Sequence, residues 1–147
     1  MNSMTDLRQI LLDASQSGAY FFDEGNTAAL TEAARTNAFF VADIDLSGAH
    51  DKPELMERLA AGLQIPAWFG GNWDGLSDVL TDLSWLPENA GVLICLSNST
   101  ELRDAEPNEF DTLLEVLNEA AFVWADAETP RPFWAILPMA GDQLPDA

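Results

Sequence analysis

The hydrophobic positions of the chain fall into two kinds of segment. In some, apolar residues recur every three or four positions, which predicts amphipathic helices. Others are short, mostly apolar runs with the composition of buried strands. In chain order we predict helices over 5–18, 27–35, 51–63, 72–83 and about 107–122, with strands over 19–22, 38–46, 92–96 and about 132–137.

Helices and strands alternate along the chain, an order typical of α/β proteins whose strands pair in parallel. We therefore predict an α/β sandwich in which a mostly parallel sheet of three or four strands packs against helices. No repeat or linker-like segment interrupts the pattern, so residues 1–147 are predicted to form a single domain.

The charge of the chain narrows the possible partners. Its 147 residues carry 25 acidic and 6 basic side chains, a formal net charge of −19. With 48% hydrophobic residues the chain is predicted to fold rather than to form an acidic disordered tail. Such a surface repels nucleic-acid phosphate and anionic membranes, so a basic protein or a cation is the expected partner.

The single cysteine and the single histidine exclude several kinds of site. Cys95 lies in the apolar run 91–96, where we interpret it as a small buried hydrophobe, and it has no partner for an internal disulfide. His50 stands in a polar stretch with no nucleophile nearby. No signal peptide and no membrane-spanning apolar run is recognisable, so we expect a cytoplasmic protein. Separately, we expect that the protein is not an enzyme and needs no metal or cofactor.

One motif resembles a calcium loop but has the wrong context. The pattern Asp43-x-Asp45-x-Ser47-Gly48-x5-Glu54 has the spacing of an EF-hand loop. Such a loop follows a helix, whereas residues 39–44 are predicted to form a strand. Glu54 also has the spacing from Asp51 that is typical of a helix capping box. The sequence therefore favours structural roles for these residues over calcium binding.

The helix predicted over 72–83 carries both an apolar face and an acidic stripe. Two explanations stay open at this point: a solvated acidic face, or a protein-binding surface beside Trp68, Phe69 and Gly70. No lysine or arginine occurs between residues 59 and 102 to neutralise the stripe. The apolar face consists of Trp73, Leu76, Leu80 and Leu83, and the stripe of Asp74, Asp78 and Asp82.

A second acidic face is predicted on the helix over about 107–122. Solubility alone explains this face, although contact with a partner is an alternative for any one of its members. The predicted buried side is Phe110, Leu113, Leu114, Leu117, Ala121 and Phe122, and the predicted solvent side is Glu109, Asp111, Glu115 and Glu119.

The stretch from Ile65 to Thr81 reads Ile-Pro-x-Trp-Phe-Gly-x-Asn-Trp-Asp-x-Leu-x-Asp-x-Leu-Thr. It resembles the barstar family of intracellular ribonuclease inhibitors, and the order of predicted elements agrees over residues 38–138. The resemblance implies a barstar-like fold for that region. Residues 1–37 are then an added helix, strand and helix, and residues 139–147 a tail.

The resemblance also implies a function. In that family a loop and helix plug the ribonuclease active site, and helix aspartates take the place of substrate phosphate. By matched position, Asp78 is the main phosphate mimic and Asp74 a second acidic contact. Glu119 matches an acidic contact on a later helix. The remaining expected contacts with a partner are Trp68, Phe69, Gly70, Asn72, Trp73 and Ser77.

The sequence departs from the family pattern at three positions between Ile65 and Thr81. Gly71 stands where an acidic residue is expected, Ser77 replaces a bulky aromatic, and Trp73 is larger than the usual leucine. A barstar-like inhibitor, or immunity protein, of a basic ribonuclease is the function expected. A barstar-fold adaptor that binds a non-nuclease protein is the alternative. A hydrolase with paired carboxylates is disfavoured, since Asp74 and Asp78 lie one turn apart on one helix and cannot flank a scissile bond.

Overall fold

The computed structural model describes residues 9–65, 72–83 and 85–139. The strands within these ranges are β1 (Gly18–Asp23), β2 (Phe40–Asp45), β3 (Val92–Ser97) and β4 (Phe133–Met139). The helices are α1 (Thr27–Thr36), α2 (Lys52–Gly62), α3 (Trp73–Leu80), α4 (Thr100–Ala105) and α5 (Pro107–Ala125). Residues 9–12 are also helical, and short 3-10 turns occupy Ala14–Gln16 and Glu24–Asn26.

The four strands form one sheet in the order β1-β4-β3-β2, and every pair is parallel. Val92 of β3 lies opposite Phe40 of β2 on one side and Phe133 of β4 on the other. Gly18 at the start of β1 lies opposite Trp134. The predicted α/β sandwich with a parallel sheet is therefore confirmed.

Helices cover both faces of the sheet, which explains why β3 and β4 are almost continuously buried. The larger apolar cluster includes buried residues of α2, α3, α4 and α5. The smaller cluster on the other face includes Leu11 and three residues of α1, and it contains Cys95, which is buried as predicted. None of the helices in the described ranges combines the length and apolar character needed to cross a membrane.

Two predicted helices are shorter in the structure. The helix predicted over 72–83 ends at Leu80, and Leu83 adopts a φ of +53°, which a right-handed helix cannot contain. The helix predicted to reach Gly18 ends near Leu12, where Asp13 accepts a hydrogen bond from the Ser15 amide and starts a 3-10 turn. The predicted start of that helix lies outside the described residues.

Two further differences concern the region after β3. No helix was predicted for the polar segment that forms α4, and α5 extends to Ala125 rather than ending near residue 122. The prediction that Phe122 is buried is wrong, since 67% of its surface is exposed. Phe122 lies one turn beyond Asn118, which is also exposed.

Candidate partner-binding site

The site predicted from the sequence is centred on α3, which begins at a well-defined cap. Asn72 has extended backbone angles, and its Oδ1 accepts a hydrogen bond from the Gly75 amide over 2.7 Å. This bond satisfies one of the backbone donors that are left unpaired in the first turn of a helix. Asp74 lies in the same turn, where the positive end of the helix dipole stabilises a carboxylate.

Trp73 joins α3 to the neighbouring helices. Its side chain is half-buried against the larger apolar cluster, and its Nε1 donates to Glu109 Oε2 of α5 over 2.9 Å. The Nζ of Lys52, at the start of α2, lies 6.0 Å from the Trp73 ring centroid. Trp73 therefore has a structural role in addition to the partner contact predicted for it.

The far end of α3 is fixed in a similar way. Leu76 and Leu80 are fully buried, and Trp124 of α5 donates from Nε1 to the Leu80 carbonyl over 2.8 Å. Ser77, another predicted contact, is half-buried. Its carbonyl accepts hydrogen bonds from both the amide and the hydroxyl of Thr81. Hydrogen bonds from two tryptophans thus hold α3 against α5.

The two central aspartates differ from four other aspartates of the chain that have local structural partners. Asp13, Asp23, Asp45 and Asp51 each accept a hydrogen bond from a backbone amide nearby. Asp74 and Asp78 are both exposed, and within the described residues neither carboxylate forms a hydrogen bond or an ion pair. They are therefore available to a cation supplied by another molecule.

The other predicted contacts stand apart from this pair. Glu119 is exposed on α5, about 15 Å along the helix axis from the Glu109 contact. Within the described residues no hydrogen bond or ion pair connects Glu119 to α3. Trp68, Phe69 and Gly70 lie outside the described residues. The structure thus brings together Asn72, Trp73, Asp74, Ser77 and Asp78 on one short helix and its cap.

Two residues of this region were not predicted. Glu109 was assigned to the solvent side of its helix, but it is half-buried and binds Trp73. Lys52 brings a positive charge to a helix whose own sequence neighbourhood has none. A half-buried tryptophan needs an acceptor for its indole N–H, which is the one sequence signal that could have indicated a partner such as Glu109.

The residues of the calcium-like motif serve the fold. Asp45 accepts hydrogen bonds from the Ser47 amide and from Asn98, and these bonds hold the pKa of Asp45 below its ordinary value. Gly48, at φ +81°, donates its amide to Glu101, which also lies 3.1 Å from His50. In the described ranges no three His, Cys, Asp or Glu side chains are grouped to hold a metal.

Cys95 is unsuited to nucleophilic chemistry. Burial, together with the nearby Asp43 carboxylate, raises the pKa of the Cys95 thiol to about 12. The thiolate is the nucleophilic form of cysteine, and it is nearly absent at neutral pH when the pKa is this high.

Comparison with solved structures shows a shared fold. A chain of "Structure of Drosophila ORC bound to DNA" matches 94% of this chain at 17% identity and a TM-score of 0.56. The Aeropyrum pernix ORC2 protein matches 94% at 15% identity and a TM-score of 0.61. This chain spans 36% and 40% of those two chains, respectively. At such low identity the likeness concerns the fold alone.

Sequence comparison identifies a family, whereas the structural likeness identifies only a fold. No curated protein matches the sequence. The family model described as Barstar (barnase inhibitor) matches residues 39–138, which include β2, β3, all of α3 and all but the last residue of β4. The match covers most of the chain, so this protein belongs to the barstar family.

Proposed function

We propose that this protein inhibits a basic ribonuclease by inserting α3 into the cationic active site of the enzyme. The observation that carries the proposal is the pair Asp74 and Asp78, exposed and without a hydrogen-bonding or ionic partner in the described part of the chain. Both lie on a helix whose two ends are fixed to α5. Membership of the barstar family supports the same function.

A fixed carboxylate suits this task for a physical reason. A ribonuclease active site gathers positively charged side chains to hold phosphate, and a carboxylate can accept the same charge-assisted hydrogen bonds. A carboxylate on a helix cannot be cleaved, and a rigid helix loses little conformational entropy on binding. Asp78 is the proposed main phosphate mimic and Asp74 the second acidic contact.

The remaining proposed contacts surround these two aspartates. Trp68 and Phe69 supply aromatic surface, and Gly70 lets the backbone approach the enzyme closely. The other proposed contacts are Asn72, Trp73, Ser77 and Glu119. The net charge of −19 would attract a basic enzyme from a distance and increase the association rate at low salt. A cytoplasmic location is part of this proposal.

The test uses purified protein and a ribonuclease encoded beside its gene. We expect Asp78→Ala to weaken inhibition by about 2–5 kcal/mol, as is general for buried interfacial charge pairs, the barnase–barstar complex among them. Glu32→Ala is the matched control, because Glu32 is exposed on α1, on the other face of the sheet, and its loss changes net charge equally. Equal inhibition by the two variants would show that Asp78 is not the phosphate mimic.

A barstar-fold adaptor that binds a non-nuclease protein is the second candidate. The observation in its favour is Lys52, whose ammonium beside Trp73 would repel a cationic active site. Salt distinguishes the two functions. Binding through Asp74 and Asp78 should weaken steeply between low and high salt, whereas binding through Trp68, Phe69 and Trp73 should change little.

A further inference from the structure

β1 is an edge strand whose outer side has no strand beside it within the described residues. The Ala19 N–H points to that side, because it donates to Oδ1 of Asn118 on α5 over 2.8 Å rather than to a strand. Peptide groups alternate in direction along a strand, so the amides of Phe21 and Asp23 also point away from β4. Such an edge offers donors and acceptors to a further strand.

A cavity of about 290 Å³ opens beside this edge, and its lining is mostly apolar. β1 contributes Tyr20 and Phe22, and Trp134 of β4 forms part of the floor. Ile10, from the helical residues 9–12, lines the mouth with 49% of its surface exposed. Tyr20 is 45% exposed, so apolar surface is accessible directly next to the open backbone of β1.

The other flank of the edge is acidic. Asn118 contacts β1 from α5. Asp111 and Glu115 lie on the same side of α5 as Asn118, closer to the start of the helix. Both carboxylates are exposed. Neither α5 nor residues 9–26 contain a lysine or an arginine. A strand added to β1 would thus have apolar surface on one side and negative charge on the other.

We propose that the β1 edge binds an extended peptide segment of a partner protein in which apolar and basic residues alternate. Its backbone pairs with the amides of Phe21 and Asp23, its apolar side chains enter the cavity at Tyr20, and its basic side chains face Glu115. Successive side chains of a strand point to opposite faces, which matches the two flanks of the edge. A second copy of this chain is a poorer occupant, because its β1 lacks basic residues and its α5 would bring Asp111 and Glu115 close to the same two carboxylates.

This surface is separate from the proposed ribonuclease site. β1 precedes residues 39–138, which the family model matches, and the cavity lies on the face of the sheet opposite α3. Peptide binding at the β1 edge therefore does not depend on ribonuclease inhibition through α3.

The test measures binding of a short synthetic peptide in which lysine alternates with valine and phenylalanine. The control peptide has the same side chains and charge, but its amides along one edge are N-methylated and cannot donate. We expect the unmethylated peptide to bind at least about tenfold more tightly, because several backbone hydrogen bonds are lost in the control. We also expect it to slow hydrogen exchange of the Phe21 and Asp23 amides. Equal affinity for both peptides would overturn the proposal.

Matched variants of the protein test the cavity. Ile10→Trp fills its mouth and should weaken peptide binding about tenfold, whereas Leu12→Trp, at an exposed position that does not line the cavity, should not. Asp78→Ala should bind the peptide like the original chain. Equal effects of the two tryptophan substitutions, loss of binding in Asp78→Ala, or dimerisation through β1 without peptide would each contradict the proposal.

Discussion

The indole Nε1 of Trp73 donates to Glu109 Oε2 over 2.9 Å and so connects the first turn of α3 to α5. Both side chains are half-buried, and the first turn of α3 also carries Asp74. The position of the acidic surface relative to the rest of the molecule therefore depends on a contact between two helices that are well separated in sequence.

We expect Glu109→Ala to lower the free energy of unfolding by about 1–2 kcal/mol, because the half-buried indole N–H loses an acceptor that is charged. Glu109→Gln retains an acceptor oxygen and should lower it less. Urea unfolding followed by tryptophan fluorescence measures both. If the alanine and glutamine variants were equally stable, the hydrogen bond would not be what Glu109 contributes.

Two substitutions of Asn72 can separate its role as the N-cap of α3 from its proposed contact with the ribonuclease. Asn72→Ala should lower the free energy of unfolding by about 1 kcal/mol, whereas Asn72→Ser preserves an N-cap acceptor and should be close to the original chain. Thermal or urea unfolding measures this difference. If Asn72 also contacts the ribonuclease, as we propose, the serine variant should still show weakened inhibition despite its preserved stability.

The free carboxylates should be unfavourable for the folded chain by itself. Asp78 lies one turn from Asp74 on α3, and a pair of like charges at this spacing destabilises a helix by about 0.2–0.5 kcal/mol. Asp78→Asn should therefore raise the free energy of unfolding slightly at low salt, and the gain should shrink as salt increases. A clear loss of stability in chemical unfolding would instead assign Asp78 a structural role.

The buried thiol of Cys95 predicts that the free energy of unfolding falls at alkaline pH. In the unfolded chain Cys95 ionises near its ordinary pKa of 9.0, whereas burial keeps it protonated in the folded chain up to about pH 12. Between these values the unfolded state binds fewer protons, so the free energy of unfolding falls as pH rises.

Cys95→Ala lacks this titration and provides the comparison. Its free energy of unfolding should fall less steeply above pH 9 than that of the original chain. Urea unfolding at a series of pH values measures the two slopes. At neutral pH a thiol-selective reagent should modify the native protein slowly and the unfolded protein rapidly, and rapid modification of the native protein would contradict the burial of Cys95.

The parallel sheet could be predicted from the sequence, because its strands are mostly apolar and alternate with helices. The helix ends could not be predicted where a local conformation departs from the hydrophobic pattern. Leu83 adopts a left-handed φ just beyond α3, and Asp13 caps a 3-10 turn where a helix was predicted to continue. Neither effect is visible in hydrophobic spacing.

Only the part of the candidate site that depends on local helical spacing could be predicted from the sequence. The line of aspartates on α3 follows from helical spacing alone, so Asp74 and Asp78 could be found. Lys52 and Glu109 reach α3 from other helices, and contacts between distant segments leave no trace in the local pattern. Phe122 could not be placed either, because an exposed aromatic on a helix has the same spacing as a buried one.

The pairing of β1 with β4 has a consequence for biosynthesis. During translation β2 and β3 can pair as soon as both have emerged, but the sole sheet neighbour of β1 in the described residues is the last of the four strands to be made. Contacts over so long a stretch of chain form slowly, because a large loop must close first. A nascent chain therefore carries the apolar segment 19–22 without its partner until β4 leaves the ribosome, and during that interval a chaperone could protect this segment from aggregation.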